Sequence, residues 1–255
     1  KERILLMGPP GSGKSEQLIN VASYIQELKL PMYVIDCEDK LEALLLNRDD
    51  PPKNINLYIS VHWDNDKVEG KHKGFKQACY DILSKVKPGD WIAIDRVDLA
   101  WPKVQEWFTK EKCNESTAEM MMNKSKQMTK KSMFIPKFDQ GSWQVINAQY
   151  DDCIIKILFE SRCNILLTAG IRDTRNEDSE SAFDIGRFGV LPRGQKELGH
   201  QPHSVFLLRS RKVGKSTNWT ISTDKDLKNR NYFDDEDIFD FGMQYLSSYF
   251  NPDDK

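Results

Sequence analysis

Apolar and polar positions follow two different periods along this chain. Short apolar runs occupy residues 4–7, 31–36, 55–61, 91–95 and 164–168, and each is typical of a buried strand. Between them, apolar residues recur every three or four positions, which predicts helices over residues 18–25, 41–45, 75–86 and 143–161. Strands that alternate with helices at crossover distance predict a mostly parallel central sheet with helices on both faces, a three-layer α/β/α fold.

The C-terminal part of the chain has a different pattern. Residues 204–209 and 219–222 flank a polar, basic run, which predicts a C-terminal β-hairpin. Residues 224–230 are expected to form a basic loop, and residues 238–249 a terminal helix.

The length predicts a single domain over residues 1–255. Two stretches interrupt its regular pattern, and we interpret residues 99–142 as an insertion and residues 171–203 as a long loop. The insertion carries a run of lysines with no acidic residue among them. These are Lys124, Lys126, Lys130, Lys131 and Lys137. Such a run is typical of a solvated loop, and its functional interpretation is contact with a polyanion such as nucleic acid.

Residues 8–15 carry the most specific chemical signal. Their order is Gly8, Pro9, Pro10, Gly11, Ser12, Gly13, Lys14 and Ser15, which fits the pattern G-x-x-x-x-G-K-[ST]. The motif lies between a predicted strand and a predicted helix, where glycines let backbone N–H groups turn toward phosphate oxygens. We expect Lys14 to reach the β- and γ-phosphates of a nucleotide and Ser15 to place its hydroxyl on Mg²⁺.

Polar side chains follow three of the predicted strands. Asp95 ends one of them and is expected to hold the Mg²⁺ shell near Ser15, with Asp98 as the alternative. Glu38 follows another strand, at the edge where parallel sheets place ligand groups. The hydroxyl of Thr168 either senses the γ-phosphate, holds the attacking water or satisfies backbone groups.

Composition limits the possible partners. The net charge is -2 and the mean hydropathy is -0.62, so nucleic-acid binding would need a local basic patch. No apolar run has the length of a membrane span, and the chain opens directly on its first predicted strand without a secretory signal. Five scattered cysteines without a C-x-x-C pair predict neither a zinc site nor a disulfide framework. A cytoplasmic protein is expected.

The order of these parts resembles the RecA-like branch of P-loop ATPases, in particular the small RecA-fold ATPases of tailed bacteriophages. The resemblance covers most of residues 2–232. Residues 8–15 resemble the Walker A loop, and residues 92–95 resemble Walker B. Residues 34–39 resemble the strand end that carries the catalytic glutamate of recombinases, which implies that Glu38 is the base or the water-orienting residue. Residues 165–172 resemble the strand that leads into the DNA-binding loop.

The same resemblance implies a homo-oligomer. Residues 224–230 are similar to the basic segment that, in this family, reaches the nucleotide of a neighbouring subunit. Trans-acting candidates are therefore Lys225, Lys228 and Arg230, followed by Arg172 and Arg175. Two features differ from the recombinase pattern. The amide that senses the γ-phosphate in recombinases would fall near Gly170, and residues 99–142 have no counterpart in compact recombinases.

The function implied by the resemblance is Mg²⁺-dependent hydrolysis of ATP by a phage-encoded enzyme that acts on DNA, in recombination or replication or as a motor. If the protein is viral, it would act in the host cytoplasm. Two alternatives stay open at this point. One is a genome-packaging, terminase-like ATPase, and the other is a nucleotide-switched assembly factor that does not bind DNA.

Overall fold

A central sheet of eight strands organises the computed structural model, which describes residues 1–64, 70–126, 138–174, 186–213, 216–228 and 232–250. In the described residues, the strands of this sheet are β1 (Arg3–Met7), β2 (Met32–Asp36), β3 (Ile55–Ile59), β4 (Trp91–Asp95), β5 (Asn164–Ala169), β8 (Ser204–Val213), β9 (Ser216–Asp226) and β10 (Glu236–Asp237). Strands β6 (Ile171–Asp173) and β7 (Val190–Pro192) pair with each other outside this sheet. The helices are α1 (Lys14–Glu27), α2 (Leu41–Leu46), α3 (Phe75–Lys85), α4 (Ala100–Cys113), α5 (Thr117–Lys126) and α6 (Gln140–Ile155).

Strand order places the predicted motifs side by side. The sheet runs β10-β9-β8-β1-β5-β4-β2-β3, and the six strands from β8 to β3 are parallel. Strand β9 pairs antiparallel with β8 and β10, which confirms the C-terminal hairpin. Because β1, β5, β4 and β2 are parallel neighbours, their C-terminal ends meet along one side of the sheet, which we call the carboxyl edge. The opposite side, where these strands begin, is the amino edge.

Alternating side chains along the strands build a core on each face of the sheet. In β1, Ile4 and Leu6 pack with the apolar side of α1, whereas Leu5 and Met7 point to the other face. That second face is covered by buried residues of α3, α4 and α6. The predicted three-layer α/β/α fold with a mostly parallel sheet is confirmed.

Residues 99–142 contain more regular structure than the sequence pattern indicated. A 3₁₀ turn at Val97–Leu99 leads into α4, which α5 follows. Helix α6 begins at Gln140, three residues earlier than predicted, because the side chain of Asp139 accepts the backbone N–H of Ser142 at 2.7 Å and caps the helix. The lysines at 130, 131 and 137 lie outside the described residues.

The stretch at 171–203 is also ordered at both ends. Strands β6 and β7 pair antiparallel as a two-stranded ribbon directly after β5, and a 3₁₀ turn at Lys196–Gly199 follows. Residues 175–185 between the two strands lie outside the described part of the chain.

The terminal helix predicted over residues 238–249 is present, but it begins later than predicted and includes a π-helical turn. The backbone N–H of Ile238 still bonds to the carbonyl of Trp219 in β9, and a π-helical turn at Gly242–Leu246 precedes the short helix Ser247–Tyr249. A Cβ on Gly242 would lie 2.6 Å from the Cβ of Tyr24, so this turn needs glycine to pack closely against α1. The prediction of a basic loop over residues 224–230 is wrong for residues 224–226, which belong to β9.

Candidate active site

The glycine-rich loop joins β1 to α1 at the carboxyl edge, and its backbone needs the glycines. Gly11 and Gly13 have φ angles of 76° and 85°, in the left-handed region that side chains disfavour. A Cβ on Gly8 would lie 2.4 Å from the carbonyl oxygen of Leu208 in β8. The loop is therefore folded tightly between the first turn of α1 and the neighbouring strand.

Lys14 lies buried under this loop. Its ammonium donates to the carbonyls of Gly8 and Pro9, both at 2.8 Å, and to Oγ of Ser12 at 3.3 Å. Burial lowers the pKa of Lys14 to about 8, and the nearby positive charge of Arg96 acts in the same direction. The loop thus holds its cation with neutral oxygens, at the place where the motif predicts phosphate binding.

Ser15 and Asp95 connect the two predicted motifs directly. Oγ of Ser15 donates to Oδ2 of Asp95 at 2.6 Å, and the hydroxyl of Thr168 donates to the other carboxylate oxygen. Burial raises the pKa of Asp95, while both hydroxyl groups counteract that shift. Asp98 makes no contact of this kind with Ser15, since its carboxylate binds Arg96.

The chemistry of this pair suits a magnesium ion. A hydroxyl and a carboxylate are hard oxygen ligands, and Mg²⁺ is commonly bound by one or two such groups together with water and substrate phosphates. Across the described residues, no group of three or more His, Cys, Asp and Glu side chains could hold a metal ion. Ser15 and Asp95 would thus be two ligands of a Mg²⁺ ion whose other ligands include water and phosphate oxygens.

Glu38 lies in a loop that Asp36 fixes. The carboxylate of Asp36, at the end of β2, accepts the backbone N–H groups of four successive residues at 2.7–3.0 Å, from Glu38 to Leu41. This arrangement stabilises the turn after β2 and starts α2. Asp36 was not anticipated, because a carboxylate that binds the backbone of its own turn leaves no spacing pattern in the sequence.

Arg96 was not anticipated, and it lies at the centre of the carboxyl edge. Its Nη1 donates to Oε1 of Glu38 at 3.0 Å, while Nε and Nη2 donate to the two carboxylate oxygens of Asp98 at 3.1 and 2.8 Å. The backbone N–H of Gly170 also donates to Asp98, at 3.2 Å. A guanidinium directly after Asp95 was visible in the sequence, but its partners depend on how β2, β4 and β5 are arranged.

Trp219 is the third residue of the site that was not anticipated. It lies on β9, and its indole N–H donates to the carbonyl of Gly11 at 3.3 Å. A Cβ on Gly13 would lie 3.0 Å from the indole ring, so the ring packs directly on the loop. Sequence spacing could not place it there, because more than 200 residues separate the two segments.

The proposed trans-acting residues lie in different places. Lys225 donates to the carbonyl of His200 at 2.8 Å, and Lys228 forms an ion pair with Glu2, so both lie at the amino edge. Arg172 lies on β6 beyond the carboxyl edge. Arg175 and Arg230 lie outside the described residues. The structure thus separates Lys225 and Lys228 from the glycine loop of their own chain.

Comparisons with known proteins give distant similarities. No protein-family model matches the chain, and no curated protein matches it. Among solved structures, the chain is similar to a RadB recombinase, with 9% identity and a TM-score of 0.47 over 88% of this chain and 81% of that one. It is also similar to a KaiC-like protein from Pyrococcus horikoshii OT3, with 13% identity and a TM-score of 0.49 over 92% and 84%. What the site does is therefore inferred from its own side chains.

Proposed function

We propose that this protein is a Mg²⁺-dependent ATP hydrolase of the RecA-like type that acts on DNA. The observation that carries the proposal is the 2.6 Å hydrogen bond between Ser15 and Asp95, which joins the end of the glycine loop to the carboxylate of the neighbouring parallel strand. A turn that matched the motif by chance would need neither a buried lysine beneath it nor a buried carboxylate beside its serine.

Each side chain would have a defined task in phosphoryl transfer. The backbone of residues 8–13 and the ammonium of Lys14 would hold the phosphates and neutralise charge that develops on them. Ser15 and Asp95 would hold Mg²⁺, which supplies further neutralisation of phosphate charge when it is bound. Glu38 would orient the attacking water, and Thr168 would keep the Asp95 carboxylate in place through its hydroxyl.

A homo-oligomer would complete the site. Lys225 and Lys228 lie at the amino edge, so neither can reach the glycine loop of its own chain, and a catalytic role would require the nucleotide of a neighbour. We keep these two and Arg230 as candidates, with Arg172 and Arg175 as alternatives. Alanine at these positions is expected to lower hydrolysis in the assembled state, and unchanged hydrolysis would remove the residue from the proposal.

Basic side chains near the β6–β7 ribbon support action on DNA. Arg193 and Arg211 are exposed, and the guanidinium groups of Arg187 and Arg209 lie 5.2 and 5.3 Å from the centre of the Phe188 ring. Arg187 is exposed and Arg209 is half-buried, and arginines beside an aromatic ring suit the phosphates and bases of a nucleic acid. Because the protein carries a net charge of -2, a local group of this kind is what binding would require.

The test is steady-state ATP hydrolysis with Mg²⁺, measured without DNA, with single-stranded DNA and with double-stranded DNA. We expect turnover that rises with DNA and disappears in Lys14→Ala. Stimulation that weakens steeply as salt increases would support phosphate contacts. Lys14-dependent hydrolysis that ignores DNA would favour the assembly factor over the recombination, replication and packaging functions.

A further inference from the structure

Arg96 joins three parts of the site that lie on three different strands. We propose that Arg96 is a positioning residue, which sets the orientation of Glu38 and links it to the base of the β6–β7 ribbon. This inference rests on the proposed ATP hydrolysis, since it assigns a role toward the water-orienting residue of that reaction.

The guanidinium is fixed on the side that faces Asp98. Two of its nitrogens bind the two carboxylate oxygens, at 2.8 and 3.1 Å, in the bidentate geometry that arginine favours. The Asp98 side chain is 2% exposed and also accepts the N–H of Gly170, so it cannot turn away easily. Arg96 therefore has one remaining nitrogen, Nη1, in a set position, and that nitrogen binds Glu38.

Glu38 has more freedom without this contact. Its side chain is 21% exposed, and in the described part of the chain its second oxygen forms an ion pair at 3.4 Å with Lys40, whose side chain is 69% exposed. A glutamate has three side-chain torsions, and an ion pair with such an exposed lysine restrains them weakly. The Arg96 contact thus provides the orientation that a water-positioning carboxylate needs, and small displacements of such groups are costly in rate.

The same arginine meets the segment that leads out of β5. A Cβ on Gly170 would lie 2.7 Å from Nη2 of Arg96 and 3.2 Å from Oδ2 of Asp98. A Cβ on Gly194, just after β7, would lie 3.1 Å from the Cα of Asp98. The two chain segments at the base of the ribbon, before β6 and after β7, therefore pack against the Arg96–Asp98 pair. A shift of the ribbon would move the guanidinium that binds Glu38.

The position of Arg96 beside the phosphate site agrees with this role. Arg96 directly follows Asp95, whose carboxylate accepts a hydrogen bond from Ser15 of the glycine loop at 2.6 Å. Two cations placed together at a glycine loop repel each other unless anions lie between or around them. Asp98 and Glu38 supply that compensation in this structure, which explains why a charged residue is tolerated directly after the buried Asp95.

The experiment is a double-mutant cycle on kcat and KM for ATP, with Arg96→Ala, Glu38→Gln and the combined variant. We expect Glu38→Gln to lower kcat about 100-fold and Arg96→Ala to lower it at least about 10-fold, as removal and misplacement of an orienting group would do. KM should change less than about threefold in Arg96→Ala, and the combined variant should match Glu38→Gln within about twofold. Arg96→Lys should recover only part of the loss, because one ammonium cannot replace a bidentate fork.

Two further variants separate positioning from folding. Gly170→Ala should lower kcat in the same direction because its new methyl group displaces Nη2, whereas Arg48→Ala removes a partly buried, ion-paired arginine that binds Glu16 and should leave kcat within twofold. Thermal unfolding of each variant, followed by circular dichroism, identifies loss of folded protein. Multiplicative losses in the cycle, or an unchanged kcat in Arg96→Ala, would overturn the inference while ATP hydrolysis stands. Absence of Lys14-dependent hydrolysis in the unmodified protein would instead overturn the proposed function, and this inference with it.

Discussion

Each edge of the central sheet buries charged groups, and Glu2 at the amino edge has a different kind of partner from Lys14 and Asp95 at the carboxyl edge. At the amino edge, the buried Glu2 pairs with Lys228, and its backbone N–H bonds to the side chain of Asn164 at 2.8 Å. At the carboxyl edge, the ammonium of Lys14 binds two carbonyls and a hydroxyl, and the carboxylate of Asp95 binds two hydroxyls. An opposite charge therefore neutralises Glu2, whereas neutral oxygens and hydroxyls hold Lys14 and Asp95. The ion pairs that Arg96 forms with Asp98 and Glu38 lie beside these two groups and leave their partners unchanged.

This difference teaches where ligand chemistry can occur. A buried ion pair satisfies both of its members and has little further demand for a charged ligand. A buried ammonium and a buried carboxylate that are held by dipoles keep their demand for an anion and a cation, respectively, as their shifted pKa values indicate. The electrostatics at Lys14 and Asp95 therefore suit a phosphate and a metal ion, whereas the Glu2–Lys228 ion pair at the amino edge suits a structural role at the start of the strands.

The largest effect is expected for Lys14→Ala. Loss of the ammonium removes the charge that faces the phosphates, so ATP hydrolysis should fall by about 10³-fold, to the background of the assay. Phosphate release measured under saturating Mg²⁺ checks this. Lys156→Ala, which breaks an exposed ion pair with Asp152, is the matched control and should retain full turnover. Equal turnover in Lys14→Ala would show that the loop is only a turn.

Asp95→Asn comes next. The amide oxygen can still accept a hydrogen bond, so the fold should persist, but the metal-binding charge is lost and Mg²⁺-dependent turnover should fall by about 100-fold. Because burial raises the pKa of Asp95, the charged form is disfavoured in the folded state, and the variant should unfold at the same or a higher temperature at pH 7. Asp81→Asn removes a partly exposed, ion-paired carboxylate of α3 and is the comparison variant for both turnover and unfolding temperature. A large drop in unfolding temperature would instead indicate a structural role for the Asp95 charge.

A smaller effect is expected for Trp219→Ala. The indole packs on Gly13 and binds the carbonyl of Gly11, so its removal should loosen the glycine loop rather than take away a reacting group. KM for ATP should rise about threefold to tenfold with kcat nearly constant, which corresponds to roughly 1 kcal/mol of lost binding. The KM for ATP of Trp219→Phe should lie between the values of the unmodified protein and Trp219→Ala. A fall in kcat at unchanged KM would contradict this interpretation.

The smallest effect concerns the amino edge and pH. Burial, with Arg3 and Lys228 nearby, lowers the pKa of His203 to about 4, so the neutral imidazole is favoured in the folded state. As pH falls from about 6.5 toward 4, the unfolded chain binds the proton first, and the free energy of unfolding should fall. After allowance for partial exposure, this loss is on the order of 1 kcal/mol and should be absent in His203→Gln. Urea unfolding at pH 7 and pH 5 checks it, and an identical pH slope in both proteins would refute it.

Much of the fold could be predicted from the sequence because local patterns determine it. The apolar runs and the helical spacings correspond to β1–β5 and to α1, α2, α3 and α6. The terminal helix begins later than predicted because Ile238 still bonds to β9, which is a tertiary contact that apolar spacing does not record. The strand β9 was predicted too short because polar residues such as Lys225 and Asp226 pair with β8 at the sheet's amino edge.

The candidate site divides in the same way. Residues 8–15 are contiguous, so one motif predicts them all, and Asp95 follows from its place after an apolar strand. Glu38, Arg96 and Gly170 are brought together only by the order of β2, β4 and β5 in the sheet, and Trp219 meets the glycine loop only through the hairpin. Contacts between residues that are distant in sequence and lack a shared pattern require the three-dimensional structure.

Equilibrium binding of a non-hydrolysable ATP analogue with Mg²⁺, measured by isothermal titration calorimetry, tests the carboxyl edge most directly. The unmodified protein should bind one analogue per chain with a Kd in the micromolar range, about -8 kcal/mol, and Lys14→Ala should show no measurable heat of binding. Equal affinity in both proteins, or binding that Mg²⁺ does not affect, would contradict the assignment of this edge as the nucleotide site.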